Sequence, residues 1–455
     1  MTRYPFRRFL PVFLLLSLLL LAGCSSFGLS GGKPTPIASR FPSVTAGTRL
    51  PGGPTPTQDD TCPDPGLNSS NGLTCLTPHQ MRVAFGIEPL IEQGYTGKGQ
   101  TIIDIVSFGS PTLQQDMDKF DQQFGLPPIN IQTISNVVNE PISDPNHDMN
   151  GWAGETELDV QIIHALAPGA NIVVMTSPVA ETEGTVGLPE FLQLEQYALS
   201  HHLGNIVSQS WGASEVTLKD SAGQQELQKW NTFFQQATTQ QGITFFGSSG
   251  DNGATDYTNL QATKLSPTAT TSFPADNPWI TACGGTTVNS VGETYQQTAW
   301  SGSGGGFSSF YAEPGYQQQL PASVQGQLNH RRGVPDIAAP ADPATGLAIY
   351  LQGQWSLAGG TSASAPFWAS LTAIANQMAG HPLGFINPAL YKLSTTSQYS
   401  QDFYDITSGN NSVHGQGVNV QGYSATTGWD PITGLGSPVA YKLLPDLINT
   451  VKSST

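Results

Sequence analysis

Short apolar runs of strand length alternate along this chain with longer stretches of helical character. The runs TIIDIVSF (101–108), NIVVMTS (171–177), NIVSQS (205–210) and GITFFGS (242–248) are too short and too uniformly apolar for surface helices. Between them, residues 188–202 and 224–240 carry the longer helix-like pattern. This alternation predicts an α/β fold with a mainly parallel central sheet and helices on both faces. Residues 154–168 predict a further helix, with Leu158, Ile162, Ala165 and Leu166 on its apolar face and Pro168 at its end. No internal repeat or later break in composition divides the body, so a single domain is expected over 78–455. In such a sheet, functional side chains collect just beyond the carboxyl ends of the strands.

The N-terminal part has a different pattern. Arg3, Arg7 and Arg8 precede an apolar run from Phe9 to Leu21, and Leu21-Ala22-Gly23-Cys24 follows. This pattern predicts an export signal over 1–23 of the lipoprotein type, with Cys24 as the lipidated residue, or alternatively an ordinary signal with a chance cysteine. Residues 24–77, rich in Gly, Pro, Ser and Thr, read as a tether. The expected location is therefore extracellular, either secreted or lipid-anchored on the outer side of a bacterial cell membrane. In that oxidising setting Cys62 and Cys75 are a plausible disulfide, whereas Cys283, in an apolar run, reads as a buried thiol.

Composition narrows the partners. With 17 Lys+Arg against 33 Asp+Glu the net charge is −16, which leaves no cationic surplus to displace counterions from nucleic acid. Charged residues make up only 11% of the chain, so in acid the protonated form carries little self-repulsion. Nothing in the pattern calls for an oligomer, and a monomer is expected.

The sharpest chemical signal is Gly359-Gly360-Thr361-Ser362-Ala363-Ser364-Ala365-Pro366, which leads into a helix-like stretch. A serine at a helix N-terminus meets unpaired amides and the positive end of the dipole, a favourable place for a nucleophile; the same residues would also make an ordinary capping turn. A serine hydroxyl needs a base. Glu155 and Asp159 lie four apart on the predicted helix and so share a face, where like charges cost about 0.2–0.5 kcal/mol unless a proton is shared or a task is served. They could instead complement the dipole at a helix start. Asp251, in Ser248-Ser249-Gly250-Asp251-Asn252-Gly253, could be a plain turn aspartate.

Taken together and in this order, these segments resemble the sedolisins, the serine-carboxyl peptidases with a subtilisin-like fold. The resemblance runs from about Leu76 to Leu447 and includes Ser208-Gln209-Ser210-Trp211-Gly212, Gly304-Gly305-Gly306-Phe307-Ser308, Arg332-Gly333-Val334-Pro335-Asp336 and Gly428-Trp429-Asp430-Pro431-Ile432-Thr433-Gly434. It implies an acid-active endopeptidase that acts on proteins or peptides. In the roles it implies, Ser362 is the nucleophile, Glu155 its general base, Asp159 the partner orienting Glu155, and protonated Asp251 the oxyanion donor. It also implies one structural calcium ion, held by carboxylates of Asp405 and Asp430 and main-chain oxygens of Ile406, Thr426 and Gly428. Two capped turns are the plainer reading of that segment.

Two departures from the family pattern stand out. Sedolisins commonly carry a long pro-domain, where this chain shows only the tether; and some relatives place a further glutamate at the end of the first core strand, where Ser107 falls here. Two other readings stay open on sequence alone. One is a subtilisin-like enzyme using His164, although the subtilisin string His-Gly-Thr-His is absent; the other is a surface-anchored, non-catalytic binding module.

Overall fold

The computed structural model describes residues 61–68, 73–291 and 294–453. The signal segment and Cys24 lie outside them. The expected strands form at Thr101–Ser107 (β1), Asn171–Ser177 (β3), Ile206–Gln209 (β4) and Thr244–Ser248 (β5), joined by Gln132–Ile134 (β2), Thr281–Val291 (β6), Thr294–Ala299 (β7) and Ile337–Pro340 (β8). They make one sheet in the order β8-β6-β5-β4-β1-β3-β2, parallel throughout, with β7 added antiparallel to β6. Both faces are covered, so strand residues on either side are buried and their sequences read as unbroken apolar runs.

The helices that accompany the sheet include Met149–Leu166 (α1), Leu188–Ser200 (α2), Ser221–Gln241 (α3) and Thr361–Ala379 (α4). Helix α1 ends before Pro168, as expected, but it begins five residues earlier than the sequence pattern indicates. Glu155 therefore lies in the second turn, and no acidic residue occupies the first, which removes dipole complementation as its explanation. Helix α3 starts on Asp220, whose side chain accepts from the Gly223 amide at 2.7 Å, and stops at Gly242 in the left-handed region. Between α2, α3 and the sheet lies an aromatic core in which Trp211 packs edge-on to Phe191 and beside Trp230.

Cys62 and Cys75 form a disulfide, and Cys283 is a free, buried thiol in β6. The end of the segment expected to be tether is in fact part of the body. Cys75 and Leu76 are buried, Leu76 forms a bridge with Leu347, and the Thr74 amide bonds the Ala344 carbonyl at 2.7 Å. The apolar Leu76 side chain and the disulfide hold these residues against the core despite their loop-like composition.

Several carboxyls are buried without a cation. Glu195 in α2 is fully enclosed: one oxygen accepts from Gln209 at 2.6 Å, the other has no partner, and burial raises its pKa well above the usual glutamate range. The folded state thus prefers the protonated acid. Its contribution is complete below the unfolded pKa and is lost as pH rises towards the folded one. Glu195→Gln is expected to leave the Tm unchanged at about pH 4 and raise it by about 2–4 °C at about pH 8, measured by differential scanning calorimetry.

Candidate active site

The loops after β4 and β5 and the N-terminus of α4 meet over the carboxyl end of the sheet, and α1 closes the side. They border a cleft of about 420 Å³ lined by Glu155, Ser210, Trp211, Asp251, Thr361 and Ser362 among others. Three of the four expected catalytic residues, Glu155, Asp251 and Ser362, thus border one cleft, and Asp159 is buried behind it against Ser210.

Helix α4 needs an unusual start to present Ser362. Gly360 has φ 95°, and a Cβ there would come within 2.5 Å of the Asp251 carboxyl, so only glycine fits. In place of a side-chain cap from residue 360, Asp251 reaches across: its Oδ1 accepts from the Thr361 amide at 2.7 Å, and the Thr361 hydroxyl lies 2.9 Å away. The Ser362 amide, in the first turn of α4, has no helical acceptor. Further along, Pro366 has no N–H for the Ser362 carbonyl. Ser210 fills that place, donating to the carbonyl at 3.0 Å.

The carboxyls form a connected set. Glu155 and Asp159, one turn apart on α1, point the same way. Burial, with the nearby Asp251 and Asp104 adding to it, lifts the Glu155 pKa to about 8 against the opposing influence of the neighbouring Ser362 hydroxyl. Asp159 is fully buried, its Oδ1 lies 2.8 Å from the Ser210 hydroxyl, and burial, with the neighbouring Asp104 and Glu155, raises its pKa well above the usual aspartate range. Asp104 sits in the middle of β1, completely enclosed, with both carboxyl oxygens lacking a donor and its pKa pushed up to about 7 by burial. The residue Asp251 is open to the cleft, but its carboxyl is crowded against Gly360 and Thr361, and that loss of hydration, with Asp256 adding to it, holds its pKa above the ordinary aspartate value.

Sequence reasoning did not single out Asp104. Its signal was an ionisable residue in the middle of an otherwise apolar strand, a place where a charge is rarely tolerated without a partner. Ser107, where some relatives carry the extra glutamate, instead bonds the Val179 carbonyl and the Glu181 amide, each at 2.9 Å. His164 lies nine residues beyond Glu155, about 180° around the helix. It contacts Asp121 at 3.2 Å and the Pro127 carbonyl at 2.8 Å, away from the cleft, and cannot serve Ser362.

The expected metal ligands also come together. Short strands Phe403–Tyr404 and Ser437–Pro438 pair, which brings Asp405 to the turn holding Thr426, Gly428 and Asp430. Asp405 accepts from the Gly428 amide at 3.1 Å, and Asp430 accepts from the amides of Thr426, Ile432 and Thr433 at 2.9–3.2 Å. Ile406 is buried beside Asp405.

A parallel sheet with a helix-borne serine at its carboxyl edge defines a protein of the subtilisin class. The chain belongs to the subtilase family, whose model matches residues 145–418, and within it to the sedolisin type. It is 35% identical to kumamolisin of Bacillus sp. (strain MN-32) over 84% of its own length and 65% of that protein's. With sedolisin of Pseudomonas sp. (strain 101) the identity is 33%, over 74% and 56% respectively. The chain thus spans somewhat less than two thirds of these curated relatives. The solved structure of Pseudomonas sedolisin, a serine-carboxyl proteinase complexed with pseudo-iodotyrostatin, superposes with a TM-score of 0.68 at 28% identity, covering 82% of this chain and 98% of that one.

Replacing Asp104 removes one charge that opposes ionisation of Glu155. In Asp104→Asn the Glu155 midpoint, followed by carbon NMR of labelled glutamate and assigned with Glu155→Gln, is expected to fall by about 0.5–1 unit. An unshifted midpoint would mean that the two carboxyls do not interact.

Proposed function

We propose that the protein is an acid-active serine-carboxyl endopeptidase that hydrolyses peptide bonds through an acyl-enzyme on Ser362. The observation that carries this reading is that Ser362, Glu155 and Asp251 border one cleft at the carboxyl end of the sheet. Glu155 takes the Ser362 proton as Oγ attacks the substrate carbonyl, then returns it to the leaving amine. Water attacks the resulting ester with Glu155 again as base, which releases the second product and restores the serine. Protonated Asp251 and the Ser362 amide are the donors for the oxyanion. Asp159, 2.8 Å from the Ser210 hydroxyl, lies behind Glu155 with Asp104, and a second ionisation in this set would place like charges side by side in a dry site, so the set carries a single negative charge.

Activity needs one proton lost from the Glu155 set and one kept on Asp251, so the profile is bell-shaped. Parent protein digesting a denatured protein between about pH 3 and pH 8 should show this bell. Ser362→Ala should lose at least about 10³-fold in kcat with its Tm retained. Equal cleavage by Ser362→Ala would rule the mechanism out. A non-catalytic binding module is disfavoured, since nucleophile, base, orienting acid and oxyanion donor are all present and placed together.

The donor set around Asp405 and Asp430 fits a hard cation. Two carboxylates and the carbonyls of one turn offer oxygen alone, and the donors reaching Asp430 are all neutral. The assigned role is a single structural calcium ion held by Asp405, Asp430 and main-chain oxygens of Ile406, Thr426 and Gly428, which ties the C-terminal loops to the sheet. Chelation with EGTA is expected to lower the Tm by about 5 °C or more, restored by added calcium but not by magnesium. The reading extends to an exported, monomeric protein anchored through Cys24, which mass spectrometry of the membrane fraction would test.

A further inference from the structure

The cleft that holds Ser362 is lined by six carboxyl residues and by no lysine or arginine. Asp148, Glu155 and Asp251 border its upper part; Glu181, Glu183 and Asp256 form a second group. The catalytic set accounts for Glu155 and Asp251. It gives no task to the second group.

These three acids are held in place. Glu183 accepts from the Ser214 amide at 2.8 Å and the Thr217 hydroxyl at 3.1 Å. Asp256 accepts from the Asn252 side chain at 3.0 Å, the Tyr257 amide at 2.8 Å and the Ser272 hydroxyl. The Glu181 backbone is fixed by Ser107 at 2.9 Å. Yet Glu181, only 6% exposed and on the cleft wall, keeps one buried carboxyl oxygen with no donor at all. A buried oxygen without a donor is costly unless something fills the place. Among the described residues no three acidic, histidine or cysteine side chains converge as metal ligands, so a bare ion does not meet this need. Trp152 and Trp211 line the same cleft and offer flat apolar surface beside the acids. Carboxyls at one end and indole faces along the wall suit a methylene stem carrying a cationic head.

Resting on the peptidase reading, we propose that Glu181, Glu183 and Asp256 form a subsite for an arginine or lysine side chain of the substrate, close to the bond attacked by Ser362. The guanidinium or ammonium group enters the acid cluster and donates to the open Glu181 oxygen, while its stem lies against the indoles. Such a subsite favours basic positions in a protein substrate and rejects uncharged isosteres, which would leave the buried acids unsatisfied.

The test separates binding from turnover. Labelled peptides carry arginine, or its uncharged isostere citrulline, at each position around a cleavable bond. Their binding to full-length Ser362→Ala protein is measured by fluorescence anisotropy, and their cleavage by the parent in mildly acidic buffer. At one position arginine is expected to exceed citrulline by about ten-fold or more in both measurements. That ratio should collapse towards one in Glu181→Gln/Glu183→Gln. Should the double variant fail to fold by circular dichroism, Glu183→Gln and Asp256→Asn singly should each lower the ratio. Cleavage without arginine preference at any position, or a preference that survives these substitutions, overturns the subsite and leaves the peptidase reading standing. Arginine-selective binding with no cleavage by the parent overturns the peptidase reading and leaves the subsite. Neither selective binding nor cleavage overturns both.

Discussion

Carboxyl groups gathered in a dry place without cations govern this structure. Asp104, Asp159 and Glu155 run in a line from the middle of the sheet to the Ser362 hydroxyl, and burial is the largest influence on each. Because charge is expensive there, protons stay on these acids at pH values where exposed carboxylates have lost them. A histidine would carry the opposite charge in acid; a buried carboxyl avoids that difficulty.

The fold makes this arrangement possible by stacking layers. Parallel strands bury β1 on both faces, which dries Asp104; α1 lies along β1 and carries Asp159 and Glu155 on consecutive turns of one face. Adjacent strands β4 and β5 deliver Ser210 and Asp251 from their carboxyl ends. Ser210 is central to the fit between the layers. Its single hydroxyl lies 2.8 Å from Asp159 and 3.0 Å from the Ser362 carbonyl that Pro366 leaves open, so it joins the acid chain to the nucleophile's helix. Similarly, Asp251 both borders the cleft and caps that helix, coupling its own position to that of Ser362.

The same scarcity of cations extends beyond the catalytic line. Glu181, Glu183 and Asp256 continue the acidic lining away from Ser362, so the cleft as a whole presents a field that a basic side chain would neutralise. For a chain with few charged residues overall, this concentration of acids in one concavity is a property of the site rather than of the composition.

Much of the architecture was legible in the sequence. Strand-length apolar runs alternating with helical stretches imply a parallel sheet because a strand covered on both faces has no polar side, and Pro168 marks the end of α1 because its ring cannot continue the helix. Glu155, Asp159, Asp251 and Ser362 could be picked out because the short motifs that hold them occur together in the order of the sedolisin pattern; singly, each also reads as a cap, a turn or a dipole complement. Asp104 and the Glu181, Glu183 and Asp256 group could not, since their meaning lies in contacts between strands and loops far apart in the chain. Nor does sequence carry desolvation: an aspartate in β1 is a single letter until the sheet and α1 close over it. The sequence by itself determined the residue types and their order along the elements, whereas only the tertiary structure decided which acids share a dry enclosure, because proton affinity depends on burial and neighbouring charge, which exist only once the layers have packed.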